Sequence, residues 1–116
     1  MWTVQREFVF SAAHHLPGYD GKCANVHGHD YSVKVSVRAE TLNEQGMVVD
    51  FHQLGDIVRG EAISKLDHTY LNDTIEQPTA ENIAKWIYDA VKPKLPGLYE
   101  IVVHETDKCS ASYKEE

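Results

Sequence analysis

The chain predicts an α+β fold: a four-stranded antiparallel sheet with two helices on one face, in the order β–β–α–α–β–β. Three observations predict it. Tyr31 to Glu40 alternates apolar and polar residues without a break, the mark of a half-buried strand. Two segments with helical spacing follow each other in the middle of the chain. The remaining apolar segments are short and joined by hairpin-length connections, which suits antiparallel pairing better than parallel crossovers.

The first strand is expected at Thr3 to Phe10, with Val4, Phe8 and Phe10 on one face and Arg6 interrupting it. Leu16 to Lys22 carries Pro17, Gly18 and Gly21 and reads as a loop. In the second strand Tyr31, Val33, Val35 and Val37 alternate with Ser32, Lys34, Ser36 and Arg38. The face bearing Lys34 and Arg38 is left for solvent or an oligomer interface. Asn43 to Gly46 reads as a turn before the apolar run Met47-Val48-Val49. Asp50 stands where an N-cap belongs, ahead of Phe51, Leu54 and Val58, and predicts a helix to about Leu66, weakened by Gly55 and Gly60. Thr79 caps the second helix, whose apolar stripe is Ile83, Trp86, Ile87, Ala90 and Val91; Pro93 and Pro96-Gly97 end it. Tyr99 to Thr106 and Cys109 to Tyr113 complete the set of strands.

With 116 residues, 42% hydrophobic and 25% charged, residues 1–116 make one domain of ordinary globular composition. No apolar run approaches the roughly 20 residues of a membrane span, and Met1 to Glu7 does not resemble a secretory signal. A cytoplasmic protein is therefore expected, with Cys23 and Cys109 as thiols. The net charge of −7 argues against nucleic acid as a partner, while leaving room for a small phosphorylated substrate held by a few local cations.

Histidine stands out. Four of the seven, His14, His15, His27 and His29, fall within sixteen positions. In an extended His27-Gly28-His29 the two rings share a face, with Cα atoms roughly 6.5 Å apart, so both reach one ion. Gly28 is expected to let the backbone pass close and the rings tilt inward. His14 is the best third ligand, and three neutral nitrogens with an open fourth position describe a catalytic zinc. Such pairs also occur on surface strands that bind nothing; the neighbouring His14-His15 and Cys23 weigh against that reading. His52 and His104 belong to neither cluster and read as structural.

Cys23, four residues before His27, has two readings: a fourth ligand closing a structural site, or a reactive thiolate beside the metal. Asp67-His68, where the first helix runs out, is either a proton-transfer pair or helix-end capping. Glu105 shares a strand face with Ile101 and Val103, as a tolerated edge charge or as an anchor for a ligand with adjacent N–H donors.

Five segments in order, Phe8-Val9-Phe10-Ser11-Ala12-Ala13-His14, Cys23-x-x-x-His27-Gly28-His29, Leu66-Asp67-His68-x-Tyr70-Leu71-Asn72, Pro78-Thr79-x-Glu81 and Glu105-Thr106, resemble the 6-pyruvoyltetrahydropterin synthase family. The spacing of Cys23 to His27 is most like the 6-carboxytetrahydropterin synthase branch. The resemblance implies the tunnelling fold, a homo-hexamer built as a dimer of trimers, and zinc on His14, His27 and His29. It implies Cys23 as catalytic thiolate, Asp67 and His68 as a proton-transfer pair, serving a zinc site on a neighbouring chain, and Glu105 as the carboxylate gripping the pterin. The implied reaction converts 7,8-dihydroneopterin triphosphate to 6-carboxytetrahydropterin with loss of triphosphate and acetaldehyde, on the route to queuosine. His15 stands where relatives often carry Arg, which leaves open how the triphosphate is neutralised and whether His15 substitutes as an alternative ligand. Two other readings compete: a sister 6-pyruvoyltetrahydropterin synthase, and a non-catalytic zinc module closed by Cys23 and three histidines.

Overall fold

A computed structural model describes residues 1–115, so Glu116, the last residue of the expected domain, lies outside the described residues. Four strands, β1 (Trp2–His14), β2 (His27–Ala39), β3 (Leu98–Thr106) and β4 (Cys109–Tyr113), form one antiparallel sheet in the order β1-β2-β3-β4. Both helices lie between β2 and β3 in the chain and pack on one face. This is the expected architecture.

The two long strands outrun their sequence signals. β1 continues past Phe10 to His14 and β2 begins at His27 rather than Tyr31. Ser11, Ala12, Ala13 and Gly28 carry little strand preference of their own. They are extended because the β1–β2 ladder runs on unbroken from Phe10↔Tyr31 to His14↔His27. Pairing energy from the neighbouring chain segment overrides local preference there, and it sets two histidines directly opposite each other.

The core follows from alternation. Phe8, Phe10 and Ala12 from β1, Tyr31, Val33, Val35 and Val37 from β2, and Leu98, Ile101 and Val103 from β3 all point toward the helices and are buried. Helix α1 (Phe51–Val58) is capped by Asp50, whose carboxylate accepts the His52 N–H at 3.1 Å. It reaches Leu66 as expected, but by way of a π-helical stretch, Arg59–Ile63, before a last α-helical turn, Ser64–Leu66. The wider turn re-phases the helix so that Ala62, Ile63 and Leu66 stay in the core with Leu54 and Val58. Phe51, expected on the buried face, is exposed beside Trp2 and Met47. Met47-Val48-Val49 is not a strand; the Asn43 side chain accepts the N–H groups of Gln45 and Met47, and Gly46 completes the turn at φ +79°.

Helix α2 (Ala80–Val91) begins at Thr79, whose hydroxyl accepts the Asn82 N–H at 3.2 Å. Its buried face is Ile83, Ala84, Ile87, Tyr88 and Val91, turned slightly from the expected stripe, with Trp86 and Ala90 at the margin. Tyr88 packs edge-on against Tyr113 of β4 at 5.1 Å, which draws that side of the helix onto the sheet. Among the described residues no helix is long and apolar enough to cross a membrane.

At the entry to β3, Gly97 passes so close to β2 that a Cβ would lie 2.9 Å from the Arg38 carbonyl oxygen and 3.1 Å from Val37 Cγ1. The Gly97 carbonyl also accepts the Arg38 N–H at 2.9 Å, so neither strand has room to yield. Gly97→Ala is expected to destabilise the fold by about 1–3 kcal/mol through overpacking, read as a lower urea midpoint at unchanged slope.

Candidate metal centre

The ladder that pairs His14 with His27 also places His29 two residues along the same face. Three imidazoles from adjacent strands therefore converge, with ring centroids 4.6 Å (His14–His27), 5.1 Å (His14–His29) and 4.8 Å (His27–His29) apart. His14 is 1% exposed, unusual for a histidine without a purpose. Tyr31, stacked on Phe10 at 4.9 Å, presents its ring to His14 and His29 and forms the floor.

Hydrogen bonds fix the tautomers. His14 Nδ1 donates to the Pro78 carbonyl at 2.8 Å, and His27 Nδ1 donates to the Asn25 carbonyl at 2.7 Å. Carbonyls only accept, so the protons sit on Nδ1 and both Nε2 atoms carry lone pairs. Those two Nε2 atoms face each other at 3.0 Å. Two lone pairs so close repel unless a cation lies between them. His29 Nε2 is buried and makes no hydrogen bond, although Glu105 Oε1 lies 2.9 Å away, off the line such a bond needs. Glu105 Oε1 is also 3.3 Å from His14 Nε2. The four donor atoms of His14, His27, His29 and Glu105 all lie within 4.8 Å of one another. Ligands at about 2.0–2.1 Å around a tetrahedral ion stand roughly 3.3 Å apart, so the donor set fits a divalent metal such as zinc.

The electrostatics agree. Burial lowers the His29 pKa; the Glu105 carboxylate works against that, and His14 and His27 add to it. The net direction favours the neutral, ligating form. Burial, reinforced by Glu105, raises the Tyr31 phenol, which stays protonated.

Cys23 is not in the donor group. It sits half-buried in a 3-10 turn, Lys22–Ala24, and its carbonyl accepts the Leu16 N–H at 2.7 Å, pinning the loop that leads into His27. The fourth donor brought to the imidazoles is Glu105, not the cysteine of the closed-site reading. His15 is turned away as well: it stacks on Tyr70 and its Nδ1 shares a hydrogen bond with the Tyr70 hydroxyl. Asn72 clamps the His15 backbone, accepting its N–H and donating to its carbonyl, both at 3.0 Å, as a strand neighbour would.

Asp67 and His68 lie at the free edge of β1. The Ser11 N–H donates to Asp67 Oδ1 at 3.0 Å, the His68 N–H to the Ser11 carbonyl at 2.6 Å, and the Ala13 N–H to the Thr69 carbonyl at 3.0 Å. Asp67 Oδ1 holds His68 Nδ1 at 2.9 Å. His68 adopts φ +60°, rare for a residue with a Cβ, and is 82% exposed. The pair is thus held by backbone bonds to β1, with its imidazole exposed. It borders a cavity of about 490 Å³ lined by Ser11, Ala13, Gly28, His29, Asp30 and His68. Gly28 faces that cavity instead of easing the rings together: a Cβ there would meet only the Ala12 carbonyl oxygen, at an ordinary 3.6 Å.

The Ser11 N–H, and after it His68, holds the Asp67 carboxyl below its ordinary value near about 4. A lowered carboxylate pKa stabilises the fold above the unfolded value and loses that contribution as pH falls through the folded one. Asp67→Asn is therefore expected to lower the melting temperature at pH 7 and to converge on the parent protein as pH falls through the lowered folded-state value. Melting curves across that range check it; a difference that persists in acid would mean the loss is one of packing.

His104 lies on the opposite sheet face, lining a polar recess with Glu7, Asp30 and Asp107. Sequence reasoning missed the backbone groups of Pro78, Asn25 and Ser11 that orient the histidines and Asp67. Ser11, Pro78 and Asn72 lie inside the segments that carry the family resemblance, whereas Asn25 lies in none of them.

A family model described as 6-pyruvoyl tetrahydropterin synthase matches residues 3–116. The chain is 41% identical over 120 residues to the 6-carboxy-5,6,7,8-tetrahydropterin synthase of Synechocystis sp., covering 97% of this chain and 93% of that one. It is 33% identical over 128 residues to the synthase of the same name from Bacillus subtilis, covering 97% and 85%. Among solved structures it is similar to Caenorhabditis elegans 6-pyruvoyl tetrahydropterin synthase, with TM-score 0.88 and 30% identity over 99% of this chain and 96% of that one.

Proposed function

Starting from a chain that belongs to the 6-pyruvoyl tetrahydropterin synthase family, we propose that it is a zinc-dependent 6-carboxy-5,6,7,8-tetrahydropterin synthase. It converts 7,8-dihydroneopterin triphosphate to 6-carboxytetrahydropterin, releasing triphosphate and acetaldehyde, and supplies queuosine synthesis in the cytoplasm. One observation carries the reading: three histidine nitrogens converge beside a half-buried carboxylate, in a chain similar along nearly its whole length to synthases of that name.

His14, His27 and His29 hold the metal, which when bound supplies Lewis acidity to the oxygens of the substrate side chain and stabilises enolate-like charge. Glu105, 27% exposed at the end of β3, accepts two N–H bonds from the pterin's guanidine-like edge and orients the ring. Cys23, on the loop leading into His27, removes a proton from the side chain as thiolate. Asp67 fixes the His68 ring through Nδ1, leaving Nε2 to give and take the remaining protons.

His68, 82% exposed beside β1, serves the centre of a neighbouring copy. The assembly is a hexamer, a dimer of trimers, in which each domain of residues 1–116 joins its sheet to the next. Two features support this. Among the described residues no strand pairs with the outer edge of β4 or with that of β1 before Ser11, and Val9 is exposed on the face away from the helices. Light scattering reads the mass directly.

The deciding experiment is mass spectrometry of the product formed from 7,8-dihydroneopterin triphosphate, with and without a chelator. Equal yields of 6-carboxytetrahydropterin and acetaldehyde, lost with chelator and restored by zinc, are expected. A 6-pyruvoyl product would make it the sister enzyme, and tight zinc binding without turnover would make it a binding module.

A further inference from the structure

Resting on the reading of Cys23 as the thiolate of the reaction, we infer that Gln77 is a positioning residue: its side-chain amide ties the loop that carries Cys23 to the start of α2 and so sets where the thiol stands. Gln77 Nε2 donates to the Pro17 carbonyl at 3.1 Å, across 60 residues of chain.

Packing does not hold this loop. From Pro17 to Val26 every residue is exposed except Cys23, which is half-buried. The loop's own bonds, from the Leu16 N–H to the Cys23 carbonyl at 2.7 Å and from the Asn25 N–H to the Lys22 carbonyl at 3.1 Å, close it on itself. They keep its shape but do not fix its place against the domain. Among the described residues, Gln77 supplies the one hydrogen bond that reaches residues 16–26 from outside the two strands they join.

The other end of Gln77 is fixed. Its carbonyl accepts the Asn82 side-chain amide and the Thr79 N–H, both at 2.8 Å, and Thr79 caps α2. Pro78 biases the residue before it toward extended backbone, which sets the direction in which Gln77 leaves the helix. The Pro78 carbonyl in turn orients the His14 ring. One short segment therefore registers both an imidazole of the metal centre and the loop of the thiol against the same helix. Proton transfer needs such registration: a base must stand within hydrogen-bonding reach of the proton it takes, and a misplacement of about 1 Å costs about 100-fold in rate.

The test uses zinc-loaded full-length protein and two variants. Gln77→Glu keeps the side chain's size but sets an oxygen against the Pro17 carbonyl; Gln77→Met keeps its length without charge or donor. Circular dichroism and melting establish that both are folded. With 7,8-dihydroneopterin triphosphate, both are expected to lower kcat about 10–100-fold, with KM within about two-fold and zinc content at the parent level. Alkylation by iodoacetamide, followed at each cysteine by peptide mass spectrometry, reads the loop without turnover. Cys23 is expected to react at least about two-fold faster in the variants, the shift that loss of one hydrogen bond allows. Cys109, at the start of β4, keeps the parent rate and is the internal control. Parent-level kcat in both variants, or Cys23 alkylating at the parent rate, overturns the inference. Loss of zinc in step with rate overturns it too, because Gln77 would then act through His14. Parent-level turnover in Cys23→Ala overturns the thiolate reading beneath it, a separate result that needs no change at Gln77.

Discussion

Changing His27 to alanine is expected to strip the metal and to lower kcat/KM by roughly 10³-fold or more. The ring is a clean target. Its Nδ1 bond to the Asn25 carbonyl is exposed, so its removal opens no core cavity, unlike that of His14. What disappears is one of the two lone pairs that face each other at 3.0 Å. Without it, His14 loses the partner across the strand pair and the remaining donors no longer surround an ion. Several kcal/mol of Lewis-acid stabilisation go with the metal, and each 1.36 kcal/mol is about ten-fold in rate. Metal analysis of the purified protein, beside steady-state kinetics, checks both parts. His104→Ala is the control: that ring lies on the other sheet face, and its loss is expected to leave metal content unchanged. Turnover that survives in His27→Ala with no bound metal would refute the centre.

Cys23→Ala is expected to abolish turnover, by roughly 10²–10⁴-fold, while metal content stays at the parent level. The thiol lies outside the group of four donors, so no coordination bond is lost with it. The loop survives too, because its anchor is the Cys23 carbonyl, which alanine retains. Rate and metal content thus separate the two readings that the spacing of Cys23 and His27 left open. Parallel loss of both would restore the closed centre of one cysteine and three histidines.

How much was legible beforehand differs from residue to residue. The alternation from Tyr31 to Val37 and the apolar stripe after Thr79 were readable because side-chain period follows backbone geometry directly. The caps at Asp50 and Thr79 were readable because a short polar side chain there meets an N–H two or three residues on. The extensions to His14 and from His27 were not, since they follow from cross-strand pairing and not from the preference of Ser11, Ala13 or Gly28. The π-helical stretch was not, because it answers to how Ala62, Ile63 and Leu66 meet the sheet.

His27-Gly28-His29 and His14 were visible as chemistry in one dimension: residue type and a spacing of two determine which rings share a face. The fold class and the family motifs were equally available from the chain alone. Three matters waited for the tertiary structure: the exclusion of Cys23 and His15 from the donors, the arrival of Glu105 among them, and the exposure of His68. Each depends on where backbone groups and side chains distant in sequence come to rest. Pro78 is 64 residues from His14, and Asp67 is 56 from Ser11. Local periodicity carries no information over such separations; only closure of the core brings those partners within hydrogen-bonding reach.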